Sequence, residues 1–434
     1  MNSTSRKAGA LLPYGLTAVG LLAAGQASAQ SFLQQDWSIP VLPDQLYEET
    51  VDGGPQNAAV TLTLEGEVGT SYQTNIYGGP SSSAVSSLIF EASPRATLRI
   101  NTGRLTGRVQ AGADYTQYMA NSANDQLDMF VRANLEYQAS DQLTIRTAAS
   151  IQRNEIGIAT NSTTPELTPL ETRTEVRTSA EIGADYQGAR YGVSGTLGVD
   201  VFNNSGLQQT SVAAVPIDNS VRDRTRVYGN LEISNTLASG DEVFGGVNGA
   251  VTTYANEGAD PKRDSFEIAP YVGMRRESAD GTMVAEGQAG VIYRAFAEEG
   301  YGTIVAPTLD ASLTWQPVGS ATSVKASTSS TLQDSTTTGV GASFVQDFEV
   351  EATFQPLDQF QLTGGLAGAY SISTQNDGAG GDRNSDFLLR PSLDARYFVS
   401  DDFYVGANAY YEQKFGGGSS ENDLGIGLSA GISY

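Results

Sequence analysis

The sequence contains no cysteine and no histidine among its 434 residues. Without cysteine there is no disulfide, no thiol nucleophile and no thiolate ligand for a metal. Without histidine there is no imidazole base, although a carboxylate mechanism stays open. Positive charge is scarce as well. The 25 Lys and Arg stand against 49 Asp and Glu, a net −24, and this balance argues against nucleic acid as a partner. Long apolar runs are also lacking. A membrane helix needs about twenty consecutive apolar residues. The run from Ala8 to Ala24 is shorter and is broken by Pro13, Gly15 and Thr17. Insertion into a membrane would have to be by strands.

Glycine, by contrast, is abundant at 48 residues, and the mean hydropathy is slightly negative. Such averaged polarity suits strands with one greasy and one wet face. At the N-terminus, Arg6 and Lys7 precede the short apolar run, and Ala27-Ser28-Ala29 offers a small-x-small cleavage site. Residues 1–29 therefore read as a secretory leader, whose loss makes the chain more acidic still. Residues 30–57, with Trp37, Pro40, Pro43 and Tyr47, read as a periplasmic tail or as a plug.

From 58 to 434 the chain alternates apolar and polar residues. One strand carries Pro94, Ala96, Leu98 and Ile100 on one parity and Arg95, Thr97 and Arg99 on the other. After the turn Asn101-Thr102-Gly103, the next sets Leu105, Gly107, Val109, Ala111, Ala113 and Tyr115 against polar residues. Short turns near Asp141, Gly188, Gly240, Gly281, Pro317, Asp358 and Asp401 alternate with long polar connectors. Strict alternation of the two kinds gives about eighteen antiparallel strands, too long and too uneven for solenoid rungs. It also puts both termini on the short-turn side, the periplasm. The weakest strand is Ser323 to Leu332, which is mostly Ser and Thr. Pro94, Pro270 and Pro391 share a Phe-x3-Pro spacing, with Pro307 a looser fourth, and local bulges are expected there.

The last eleven residues put Leu424, Ile426, Leu428, Ala430, Ile432 and Tyr434 on one parity, with Gly or Ser on the other. This pattern resembles the C-terminal assembly signal of Gram-negative outer-membrane barrels, here carried by Ile432 and Tyr434. Tyr137, Tyr186, Trp315, Phe354, Phe360, Tyr397 and Phe403 flank short turns, as an interfacial aromatic girdle does. With the strand Phe387-Leu388-Leu389-Arg390-Pro391-Ser392-Leu393 and the turns Trp315-Gln316-Pro317 and Phe354-Gln355-Pro356, the chain resembles the β-barrel porin families of Gram-negative outer membranes.

That resemblance implies an all-β transmembrane barrel in the outer membrane that passes hydrophilic solutes without chemistry. Its implied partners are outer-membrane lipid, lipopolysaccharide and, through the C-terminal strand, the barrel assembly machinery. Some relatives accompany exopolysaccharide export, which implies a periplasmic export partner. The alternative is a closed structural or adhesive barrel that displays its loops. The outer-membrane barrel enzymes (phospholipases, omptin-type proteases, lipid A modifying enzymes) depend on a histidine this chain lacks, so no enzyme and no cofactor are expected. No metal site is expected either: the Asp- and Gly-rich stretch 376–386 lacks the spacing of a Ca²⁺ loop and reads as a solvated turn.

With the apolar parity facing lipid, the other parity names the lumen. Early strands contribute Arg95, Arg99, Arg104, Arg108, Arg132, Arg146, Arg173 and Arg177. The fourteenth contributes Asp347, Glu349 and Glu351, nine strands away from the fifth. Either these charges pair within the wall, or a basic arc faces an acidic one across a water-filled pore. Tyr228, Tyr271 and Tyr410 also fall on lumen parity, where single tyrosines are ordinary wall packing.

Overall fold

Strands with one apolar face cannot leave backbone edges open to lipid, and the solution is to close the sheet on itself. In the computed structural model, eighteen antiparallel strands do so. They are β1 (Val60–Gln73), β2 (Ser87–Asn101), β3 (Leu105–Tyr118), β4 (Gln126–Gln138), β5 (Leu143–Ile156) and β6 (Arg173–Gln187). Next come β7 (Tyr191–Ser205), β8 (Arg224–Thr236), β9 (Glu242–Tyr254), β10 (Ser265–Glu277), β11 (Met283–Phe296) and β12 (Thr303–Trp315). The circuit ends with β13 (Thr322–Asp334), β14 (Val340–Leu357), β15 (Phe360–Gln375), β16 (Ser385–Ser400), β17 (Phe403–Gly416) and β18 (Ser419–Ser433). The structure describes residues 60–434 apart from 77–83, 121, 157–172, 206, 210–215, 256–262, 299–300, 335–339, 376–384 and 417–418. The secretory leader and the segment 30–57 lie outside the described residues, as does most of the stretch 376–386.

Each strand pairs with its chain neighbours, and β18 pairs with β1 to close the ring. Closure runs from Glu65 opposite Ser433 to Gln73 opposite Gly425. Beyond it, Leu64 and the terminal Tyr434 exchange both backbone hydrogen bonds, at 2.7 and 2.8 Å. At the other end Asp423 accepts from the backbone N–H of Thr74 and Asn75, at 3.1 and 2.9 Å. The closing joint is therefore tied at both ends. Between β7 and β8 a small hairpin pairs Leu207–Gln209 with Pro216–Asp218.

Seventeen connections join the eighteen strands, so Val60 and Tyr434 lie at the same end of the barrel, that of the turns 102–104 and 139–142. Two connections are shorter than their sequence suggests. The ladder of β17 and β18 continues to Gly416 opposite Ser419, which leaves only residues 417 and 418 between the strands. β14 runs on through Pro356 to Leu357, with a register shift after Phe354.

The outer face is apolar and exposed. On β18, Ile426, Leu428 and Ile432 point outward, and Leu428 is 65% exposed. Aromatic rings edge this band at both ends. Tyr137, Tyr186, Trp315, Phe354, Tyr397 and Phe403 stand out near the short turns. Phe266, Tyr293, Tyr370 and Phe415 do so toward the long connections. Phe403 and Phe415 lie twelve residues apart on one strand, roughly 40 Å of chain and roughly 28 Å of height at a 45° tilt. That is the thickness of a bilayer's hydrocarbon core.

The expected bulges at the prolines are absent. β2 and β3 pair at Ala92–Tyr115 and again at Arg95–Gly112, in one register, with two pairs missing beside Pro94. The same gap occurs beside Pro270 between β10 and β11, and beside Pro391 between β16 and β17. Proline removes a donor and its ring holds the neighbour off, but neither effect needs the extra residue that defines a bulge.

Candidate functional site

The inner face is built from the polar parity of every strand. Arg95 and Arg99 (β2), Arg108 (β3), Arg132 (β4), Arg146 (β5) and Arg177 (β6) occupy it. Arg173 opens β6 at the same parity, opposite Ile156. Arg104 is not in the wall. Thr102 N donates to Leu105 O at 2.9 Å and Gly103 takes a φ of 81°, so the turn absorbs Arg104 and exposes it. Asp347, Glu349 and Glu351 share the inner face of β14, opposite Ser329, Ser327 and Lys325 of β13.

Three of these arginines reach an acid on an adjacent strand. Arg95 meets Asp114 at 3.3 Å, Arg177 meets Asp200 at 3.1 Å, and Arg146 pairs closely with Asp185. Basic residues are not confined to the early strands, as an arc would require. Arg226 and Arg294 both hold Glu267, at 3.4 and 2.6 Å. Arg275 gathers three carboxylates: Glu232 at 3.0 Å, Glu242 at 3.2 Å and Glu286 at 2.8 Å. Arg396 holds Asp394 at 3.0 Å, and Lys414 faces Glu421 at 3.8 Å. Parity counted through β10, β11 and β16 would have revealed Arg275, Arg294 and Arg396, since their strands alternate as cleanly as β2 does.

The register also brings like charges together. Arg99 and Arg108 lie directly opposite each other across β2 and β3, an arrangement that like charges disfavour. Next to them Phe130 carries the Arg132 guanidinium at 4.7 Å and that of Arg95 at 5.9 Å. Arg95, Arg99, Arg108 and Arg132 thus concentrate positive charge on three adjacent strands. On the far side, β13 and β14 set three carboxylates against Lys325.

Inner aromatics lie flat on the wall. Tyr228 covers Gly198, Tyr271 covers Gly246, Phe244 covers Gly273, Tyr410 covers Gly425 and Tyr404 covers Gly431, so closely that a Cβ at any of these glycines would strike the ring. Their hydroxyls are engaged as well. Tyr228 donates to Glu181 at 3.1 Å, Tyr271 to Glu232 at 3.0 Å, Tyr410 to Asp423 at 2.6 Å, and Tyr404 to Glu67. Arg224 stacks on Phe202 at 3.9 Å and Arg390 on Tyr410 at 4.4 Å. These rings hold the charged side chains against the wall. Among the described residues no cluster of metal-ligating side chains forms.

A closed barrel with a lipid-facing apolar band, two aromatic girdles and a charged, hydrogen-bonded interior defines an outer-membrane β-barrel. The chain belongs to the family described as putative beta-barrel porin 2, whose model matches residues 61–429. No curated protein matches the chain. Among solved structures it is similar to the siderophore receptor PirA from Pseudomonas aeruginosa, at 13% identity and TM-score 0.41, over 86% of this chain and 80% of that one. It is similar to the copper transporter OprC at 10% identity and TM-score 0.46, over 86% and 81%. It is similar to the outer membrane protein opdK from Pseudomonas aeruginosa at 9% identity and TM-score 0.44, over 86% and 99%. Likeness at this level says nothing of what this chain carries.

Proposed function

We propose that the protein is a channel that passes hydrophilic solutes through its charged lumen, with the short turns and both termini in the periplasm. What supports this reading is the inner wall. Its charges are paired along the wall and its rings lie flat over glycines, so side chains are drawn to the perimeter. Barrels of sixteen to eighteen strands are wide enough to hold an aqueous channel when nothing fills them. The role is transport with no chemical step. The finer reading is the outer-membrane step of exopolysaccharide secretion, with residues 30–57 meeting periplasmic machinery.

Single-channel recording of the refolded protein in planar bilayers tests the channel, with the reversal potential read under a salt gradient. Stable nanosiemens-scale steps are expected. Silence from a folded, heat-modifiable barrel would remove the open-pore reading and favour the closed scaffold. Loss of surface polysaccharide on deletion of the gene tests the finer role.

A further inference from the structure

The wall is incomplete between β12 and β13. Their ladder holds only from Ala311 opposite Thr328 to Trp315 opposite Val324, five pairs, whereas β11 with β12 and β13 with β14 each make thirteen. Continued in register, it would set Leu309 opposite Ser330 and Pro307 opposite Leu332. Side chains bridge the space instead. Ser330 Oγ accepts from Leu309 N at 2.7 Å and donates to Gln346 Oε1 at 2.6 Å. Gln346 Nε2 donates to Leu309 O at 3.2 Å, and Asp310 Oδ1 accepts from Ser330 N at 2.9 Å. Pro307, further along this edge, has no N–H to offer.

Beyond this point β13 and β14 have stepped inside the barrel. Ser330, Leu332 and Ala342 carry the parity that faces outward lower on the same strands, yet Leu332 is 8% exposed and Ala342 is 0%. Next door on β12, Val305 and Leu309 remain open to the lipid side at 66% and 53%. Leu332 and Ala342 lie against Ala269, Ile292 and Ile304, which belong to the inner faces of β10, β11 and β12, with Phe296 and Phe344 packed on the group. Tyr301, itself buried, sits on Phe296 with ring centroids 5.5 Å apart. Thus a buried apolar patch, bordered by Arg294, whose guanidinium donates to Leu332 O at 3.1 Å, lies inside the barrel directly behind a break in the lipid-facing wall.

The sequence explains why the break is here. Ser327-Thr328-Ser329-Ser330-Thr331 has no apolar face to hold against lipid, and Pro307 weakens the partner edge. An open edge inside a bilayer is otherwise avoided. A transmembrane strand that gives up its ladder, bridges the gap with hydroxyl and amide side chains, and backs it with an apolar patch has the parts of a doorway.

We propose that the gap between β12 and β13 is a lateral portal between lumen and bilayer, and that it takes the hydrocarbon chain of a single-chain amphiphile. Only the side chains of Ser330 and Gln346 span the space, so one hydrocarbon chain that displaces them would pass between the strands. Leu309 and Val305 lead to it from the lipid, and Leu332, Ile292 and Ile304 receive it inside. The portal rests on the barrel and not on ion conduction, so a silent channel leaves it standing.

Because the chain has no cysteine, single-cysteine variants of the full protein report access directly. Leu332→Cys, with Ala342→Cys as a second position, would be refolded in phospholipid vesicles and checked by heat modifiability. Each is treated with dodecylmaleimide dissolved in the bilayer or with a sulfonated thiosulfonate in the water. Val305→Cys is the lipid-facing reference. Bilayer labelling at 332 or 342 is expected, with loss of labelling when dodecanoate is added. At position 332, read by peptide mapping, it should also be lost on oxidation of a Leu309→Cys, Ser330→Cys pair in the same protein, and return there on reduction. If Val305→Cys is labelled from the bilayer while 332 and 342 are inert, or react from water alone, the portal is overturned. The displaced hairpin is then a fixed constriction.

Discussion

At the scale of single residues the inner wall works by sharing charge. Arg275 neutralises one of three carboxylates outright and partly screens the other two. Removing one partner from such a node leaves like charges facing each other in a region of reduced dielectric, where a fully buried case costs about 3–5 kcal/mol. Arg275 keeps 29% of its side chain exposed, so the loss for Arg275→Ala should be nearer about 2 kcal/mol. Urea unfolding in vesicles would measure it, and a midpoint equal to wild type would refute the node. Glu349 and Glu351 differ in kind, because they share one face with Asp347 against Lys325. Glu349→Gln with Glu351→Gln should shift the reversal potential toward anion preference. An intact pore with unchanged selectivity would mean that these carboxylates do not face the permeation path.

At the scale of the element, each strand is decided by what its neighbour leaves room for. A ring on one strand lies over a glycine on the next, so Gly431→Val should push Tyr404 off the wall at a cost of about 1–3 kcal/mol. Gly364 has no such ring beside it, and Gly364→Ala is the control that should unfold like the parent. Turns carry their own chemistry. In the turn between β10 and β11, hydrogen bonds from Ser278 and Thr282 hold the exposed Asp280 carboxyl below its ordinary 3.8. A carboxyl whose folded value is depressed adds stability above the unfolded value and loses it as pH falls through the folded one. The turn should therefore weaken below about pH 4, and Asp280→Asn should flatten that part of the pH profile of unfolding. A profile unchanged by the substitution would show that the turn contributes no pH-dependent stability.

At the scale of the whole molecule, closure is the decisive event. Leu64 and Tyr434 are 370 residues apart in the chain, yet they exchange a pair of backbone hydrogen bonds that completes the ring. Deleting Tyr434 removes that pair and the exposed terminal ring together. The expected outcome is a sharp fall in heat-modifiable barrel recovered from outer membranes, while refolding in detergent is less affected; equal recovery would remove Ile432 and Tyr434 as an assembly signal. Deleting residues 30–57 and recording conductance separates their two readings. A rise in current makes the segment a plug, and unchanged current makes it a tail.

Strand number and the lipid-facing parity of the last strand were legible because each follows from a period of two along the chain, whereas the length of the β17–β18 connection was not. The placement of Arg95, Arg99, Arg108, Arg132, Arg146 and Arg177 on one face follows from the same period. Arg104 fell outside it because a turn residue has no parity. Which acid each arginine meets was not legible, since register between neighbouring strands joins residues tens of positions apart, such as Arg146 and Asp185. Arg275 draws on four strands at once, and no local pattern announces that. The Ser/Thr run of β13 showed a weak strand in the sequence. Only the packing of Leu332 and Ala342 on the inner faces of three other strands turned that weakness into an opening. The chain determined the repeating face, because side-chain alternation is local; the tertiary structure alone decided the charge pairs, the closing joint and the break, because these depend on where distant strands come to lie.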